Sequence, residues 1–268
     1  MEILLGILLA AIGLSVHRAR KGPQPRAVDA GDGAGSGDSS MTSSMGYTTE
    51  VWAAPLAPLC AVHGIPLAFA LSAIEEESGG NPCAIGAPGA VGPDGFPREQ
   101  GIYQFYNPDD FTLLGLKSGS LRAYCNPQKV QVRDKHGNLV WSHSQEVIRR
   151  LTDEEMLEQA TATTQKILAS FQEASKWAKA AGVTWPSDGK DFWRLVKLVH
   201  GLPGLLHAIV AVAKHLGRPP SSWSEYRTQI ETGAVKADDK TEAYRAQYAS
   251  IFDNAEKATA AMEGEALA

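Results

Sequence analysis

From Thr152 to Gly182 the sequence dictates one long amphipathic helix, and that helix sets the class of everything around it. Thr152 and Glu155 form a T-x-x-E capping box, in which each residue's side chain satisfies the other's backbone N–H. Behind it Met156, Ala160, Ile167, Phe171, Ala174 and Ala178 recur at helical spacing until Gly182 ends the run. A further helix runs from about Asp188 to His200, breaks at Gly201-Leu202-Pro203 and resumes to Leu216-Gly217. Upstream, Pro55 and Pro58 punctuate a short helix ending near His63-Gly64. Pro66 then takes a first helical position ahead of Leu67, Leu71 and Ile74, and Gly79-Gly80 stops that run. A Gly/Pro-rich loop covers about 79–100. Between Lys129 and Trp141 the alternation predicts a β-hairpin closed by His136-Gly137-Asn138. The expected fold class is mainly α with one small hairpin, and no internal repeat is present.

Composition removes several alternatives. The chain has 268 residues, 44% apolar and 21% charged, with a formal net charge of −5. That balance is too apolar for disorder throughout and lacks the basic domain of a nucleic-acid binder. Three cysteines (Cys60, Cys83, Cys125) allow at most one internal disulfide, and no C-x-x-C pair suggests zinc. The histidines include no H-E-x-x-H. His136, His143, His200, His207 and His215 therefore read as solvated or structural, and no metal is expected.

The two ends of the chain have their own character. Ile3 to Val16 is an uncharged apolar run followed by a basic cluster at 17–21. It is shorter than the ~20 residues of a usual spanning helix, and Glu2 stands where a secretory signal carries positive charge. The run is expected to be a membrane-associated anchor in preference to a cleaved signal. Read by the positive-inside rule, this pattern places the N-terminus outside and the bulk of the chain inside, and the orientation stays open. Residues 22–48, rich in Gly, Ser and Asp, predict a flexible linker. The expected organisation is thus 1–21 anchor, 22–48 linker, 49–217 folded domain and 218–268 an Ala-rich helical extension.

Chemistry concentrates at Glu75-Glu76-Glu77-Ser78-Gly79-Gly80-Asn81-Pro82. Carboxylates at a helix C-terminus oppose its dipole. Taking 67, 71 and 74 as the buried stripe, position 78 continues it and Glu77 lies at its edge, while Glu75 and Glu76 turn toward solvent. A carboxylate at the edge of an apolar stripe, facing a Gly-rich loop, is a place for a general acid. A solvated charge cluster is the plain alternative.

The stretch resembles the catalytic segment of soluble-lytic-transglycosylase-type enzymes, the helical goose-type-lysozyme-like family that cleaves peptidoglycan. Glu77-Ser78, Asn81-Pro82-Cys83-Ala84, Gly89-Ala90 and Gly101-Ile102-Tyr103-Gln104 follow the family's motifs in order, and GIPLAFALSAIEE resembles its approach to the catalytic Glu. The resemblance covers about residues 50–215, strongly at 66–105. It implies an α+β lysozyme-like fold and a lytic transglycosylase acting with one carboxylate, Glu77. That residue would protonate the glycosidic oxygen between N-acetylmuramic acid and N-acetylglucosamine. It would then take the C6 hydroxyl proton, so that a 1,6-anhydro ring closes. Ser78 and Gln104 would orient the acid and the sugar, backbone at Gly101–Tyr103 would form groove wall, and Asn81 would join the substrate-binding set. No cofactor is implied.

There are departures from the pattern. Gly86 stands where the family has Ser, and VGPDGFPREQ lengthens the loop before Gly101. The family's Tyr-Asn-Ala-Gly-Pro-Gly is matched only by Val199-His200-Gly201-Leu202-Pro203-Gly204, without the tyrosine that faces the acid. Tyr103 and Tyr106 are the phenols available in its stead. Two other readings stay open. One is a hydrolytic muramidase with a second carboxylate among Asp94, Glu99, Asp109 and Asp110. The other is a degenerate glycan-binding or structural piece. Enzymes of phage virions and of bacterial envelope machines share this layout. The expected partners are therefore peptidoglycan, a membrane through residues 3–16, and virion or envelope-complex proteins, with no nucleic acid. The six tryptophans are expected mainly in the core.

Overall fold

The computed structural model describes residues 45–86, 97–106, 109–116, 122–125 and 146–262 in full, and the strands at 129–133 and 139–143 by their backbone. The apolar run 3–16, the basic cluster, most of the linker and the hairpin turn at 134–138 lie outside these residues. Among the described residues no helix is long and apolar enough to cross a membrane.

Helices dominate, as their sequence signals require. They are α1 (Ala53–His63), α2 (Leu67–Ser78), α3 (Asp153–Ala180), α4 (Lys190–Gly201), α5 (Pro203–Leu216), α6 (Trp223–Glu231), the single turn α7 (Asp239–Glu242) and α8 (Tyr248–Ala260). Two short antiparallel pairs accompany them: β1 (Glu99–Gln100) with β2 (Phe105–Tyr106), and β3 (Lys129–Arg133) with β4 (Leu139–His143). In the second pair Lys129 faces His143 and Arg133 faces Leu139. The capping box forms with both of its hydrogen bonds, 3.2 Å from the Glu155 N–H to the Thr152 hydroxyl and 2.9 Å in return. Pro203 begins α5 directly after the break at Leu202, because it needs no N–H there. Pro66 is the residue before α2, at φ −60° and ψ 121°, one position earlier than expected.

Helix α3 is the spine against which α1, α4 and α5 pack, and α8 lies against α4 and α2. Phe69 of α2 meets Trp193 of α4 at 4.8 Å between ring centres, and Phe171 of α3 meets the same indole at 5.5 Å. These rings join three helices in one buried cluster.

Two expected boundaries shift. The segment after 217 is no appendage: Trp223, Tyr226 and Phe252 are buried in the same core, with Trp223 and Phe252 edge-on at 5.4 Å. Three rings on α6 and α8, spread over thirty residues, make this contact, so no short stretch of the sequence carries it. The linker also ends earlier than 48. Tyr47 is buried, packs on Trp52 at 6.2 Å and accepts the Leu151 N–H at 2.7 Å. A single aromatic residue inside a polar tract carries no periodic signal.

Candidate active site

The buried face of α2 is Phe69, Ala70, Ala73 and Ile74, rotated from the 67/71/74 stripe read in the sequence. Leu67 and Leu71 pack at its margin. Positions 73 and 74 are followed at helical spacing by 76, 77 and 78. Glu77 therefore lies within the buried face, its side chain only 7% exposed. Glu76 follows it inward at 16%, which corrects the expectation that it turns to solvent. Glu75 is on the exposed side and accepts a hydrogen bond from the Thr49 hydroxyl.

Two residues of α4 meet these carboxylates. Lys197 Nζ lies 2.6 Å from Glu77 Oε1 and 3.2 Å from Glu76 Oε2, and His200 Nε2 lies 3.3 Å from Glu77 Oε1. The Lys197 and His200 side chains are 5% and 7% exposed. Burial works against the Lys197 ammonium, but Glu77 and Glu76 outweigh it and hold its pKa above the ordinary lysine value. For His200 burial wins over Glu77, and its pKa falls to about 4. At neutral pH His200 is thus an uncharged imidazole whose Nε2–H donates to Glu77. Burial raises the Glu76 pKa, opposed by Lys197. Of the two readings of His200, solvated or structural, its burial against Glu77 corrects the solvated one. Lys197 was not identified from the sequence, although an ionic residue amid buried Trp193, Val196 and Leu198 on one helix was a legible signal.

The motif residues come together around the end of α2. Ser78 Oγ lies 2.9 Å from the Ile102 carbonyl and 3.1 Å from that of Ile74, and it accepts the Gly80 N–H at 3.1 Å. Its hydrogen bonds are to backbone, so it fixes α2 against the 101–104 turn. Asn81 Oδ1 accepts the Cys83 N–H at 2.8 Å, an Asx turn, and Gly101 N–H donates to Ala84 O at 2.9 Å. Gly101 has φ +83°, and a Cβ there would lie 3.0 Å from Gln159 Oε1 and from the Phe105 ring. Gln104 is buried with φ +46°, unusual for a residue with a side chain. Its Nε2–H bonds back to Gly101 O at 3.3 Å. Gln104 therefore shapes its own turn.

Tyr103, not Tyr106, is the phenol beside Glu77. Its ring stacks on His200 at 4.6 Å between centres and is fully buried, and its hydroxyl has no hydrogen-bond partner among the described residues. Burial, reinforced by Glu77 and Glu76, keeps that phenol protonated. Tyr106 is half-buried under the Arg98 guanidinium.

Gly86 is explained by packing: a Cβ there would fall 2.0 Å from Glu99 Oε2 and 2.6 Å from Gln104 Oε1. Among the other carboxylates, Asp110 pairs with Lys166 and accepts the Tyr106 N–H at 3.0 Å. Burial opposes it, yet these partners hold Asp110 below the usual range, an engaged group poorly suited to activating water. Asp109 is exposed, and Asp94 and Gly89-Ala90 lie outside the described residues. Gln159 of α3, also unforeseen, joins the motif segments. It is buried, its Nε2 donates to Pro82 O at 3.2 Å and Tyr124 Oη at 2.8 Å, and its Oε1 accepts the Ile102 N–H at 3.3 Å. Cys83 and Cys125 form a disulfide, leaving Cys60 buried in α1. No group of side chains suited to a metal ion occurs among the described residues.

The neutral, buried His200 makes stability depend on pH with a definite sign. The unfolded imidazole binds a proton below about 6.5 and the folded one only below about 4. Stability from this group is therefore present above pH 6.5 and lost as pH falls toward 4, by on the order of 3 kcal/mol. Urea midpoints measured for wild type and His200→Asn should diverge at neutral pH and converge near pH 4; parallel curves would refute it.

No family model, curated protein or solved structure matches this chain.

Proposed function

We propose that the protein is a peptidoglycan lytic transglycosylase with a lysozyme-like catalytic domain and Glu77 as its single acid and base. One observation carries the reading. Three of the four motif segments, separate in sequence, fold to one end of α2 around a largely buried carboxylate, joined by Ser78 to Ile102 and by Gly101 to Ala84. In such a site a carboxyl group exchanges a proton with substrate with little competition from water. Glu77 would protonate the bridging oxygen, the substrate's acetamido group would stabilise the cationic carbon, and Glu77 would then remove the C6 hydroxyl proton. The Tyr103 hydroxyl, buried and without a hydrogen-bond partner among the described residues, is the phenol that would stand in for the family's tyrosine. The Cys83–Cys125 disulfide accords with an oxidising compartment such as the cell envelope or a released virion.

The decisive experiment digests purified peptidoglycan with the full chain and weighs the products. Anhydro-muramic ends, lighter than hydrolysed ends by one water, are expected. Reducing muramic ends would establish the muramidase reading instead. A third reading is favoured by one specific feature, the ammonium 2.6 Å from Glu77, since a permanently paired carboxylate is no acid. Absence of any cleavage, with retained binding to sacculi, would make this a glycan-binding or structural piece.

The apolar run at 3–16 supports a membrane-associated location. Its nine Ile, Leu and Val residues each gain ~1.5–3 kcal/mol on full burial, far more than a short helix loses on immobilisation. The full chain should float with lipid vesicles and a chain beginning at Met45, which retains Tyr47, should not. Equal flotation of both would exclude the anchor.

A further inference from the structure

The pairing of Lys197 with two carboxylates at the site has a consequence for regulation, and it rests on the transglycosylase reading of Glu77. Ion pairs at 2.6 and 3.2 Å from one ammonium favour the ionised form of both glutamates, and the neutral imidazole at 3.3 Å adds a donor to the same Glu77 oxygen. A general acid has to hold its proton when the sugar arrives. These requirements conflict in a side chain that is 7% exposed, where water screens little.

We propose that Lys197 is a positioning residue that keeps Glu77 latched to α4 as a carboxylate, so that the acid is competent only where this ion pair is released. The surrounding charges are balanced on that ammonium. On α2 stand Glu76 and Glu77, on the 101–104 turn the uncharged Tyr103, and on α4 the uncharged His200. Lys166 of α3 reaches the site's field but is paired with Asp110, and the charge of Lys257 on α8 acts on Glu76. Lys197 alone among these cations contacts both glutamates. Activity should therefore fall as pH rises at an unusually acidic point, and this limb should follow the charge at 197 and 76.

The test is the pH–activity profile of the full chain on peptidoglycan. Lys197→Met should move the basic limb upward by about 1–3 pH units, since an opposite charge at this range shifts a carboxyl by that much. One unit above the wild-type limb, its relative activity should rise about tenfold. Lys197→Arg should restore the wild-type limb. Glu76→Gln keeps the ammonium and removes a like charge, so it should move the limb downward. It serves if Lys197→Met fails to fold. A folded Lys197→Met or Glu76→Gln that merely scales activity at every pH, with the limb unmoved, overturns the latch. If wild type cleaves no peptidoglycan, the proposed function fails while the latch is still decided by carbon NMR of glutamate-labelled protein. A side-chain carboxyl titrating at higher pH in Lys197→Met supports it, and unchanged carboxyl titrations overturn it.

Discussion

Glu77→Gln is expected to lower turnover on peptidoglycan by a factor on the order of 10² or more, because the amide keeps size and hydrogen bonding but carries no transferable proton. The sequence alone suggests that so conservative a change leaves stability intact. The structure alters that expectation. Glu77 is the nearer partner of a buried ammonium, so neutralising it leaves Lys197 with Glu76 at 3.2 Å and should cost about 2 kcal/mol. Activity and stability must therefore be measured together, by release of muramic ends below the melting range and by urea midpoints. Wild-type turnover in a folded Glu77→Gln would remove Glu77 from the chemistry. Loss in Glu76→Gln alone would move the role by one position, to the other carboxylate that Lys197 touches.

Loss of the Cys83–Cys125 disulfide is expected to have the largest effect on stability. The bond closes a sequence separation of 42 residues, for which the entropy of the unfolded chain predicts about 4 kcal/mol. In a folded body of this size that is a fall in melting temperature of roughly 10 °C. Cys83 follows Asn81-Pro82 in the motif, and the segment before Cys125 carries Tyr124, whose hydroxyl accepts from Gln159. The bond thus secures the same turn that Gln159 holds from α3. The double change Cys83→Ser and Cys125→Ser, or reduction of the wild type, should lower the melting temperature by similar amounts. A shift of under two degrees in both would show that packing around Gln159 holds the turn unaided. Cys60→Ser serves as the control that leaves the bond intact.

Particular residues show how far the site was legible. Glu77, Ser78, Asn81, Gly101, Tyr103 and Gln104 do gather at one place, and three of them also hold the local backbone. Ser78 bonds backbone, Asn81 makes its own turn, and Gln104 folds back on Gly101. At Gly86, where the resemblance calls for Ser, Glu99 and Gln104 occupy the space that a side chain would need. Among the tyrosines the sequence offered two, and burial against His200 selects Tyr103.

By itself the sequence determined the helices and their ends, since caps, glycines, prolines and periodic apolar side chains act within a few residues of one another. The capping box at Thr152, the break at Leu202-Pro203 and the stop at Gly79 are of this kind. Only the tertiary structure decided which face of α2 is buried, because Phe69, Ala70 and Ala73 bury against helices far along the chain. It likewise decided the partners of the acid. Lys197 is 120 residues from Glu77, and no local spacing encodes a meeting set by how α4 crosses α2. The charge state of the site follows from that crossing. Burial would discharge each group alone, and the proximity of opposite charges keeps Lys197 ionised while His200, with a weaker claim on the same oxygen, gives up its proton.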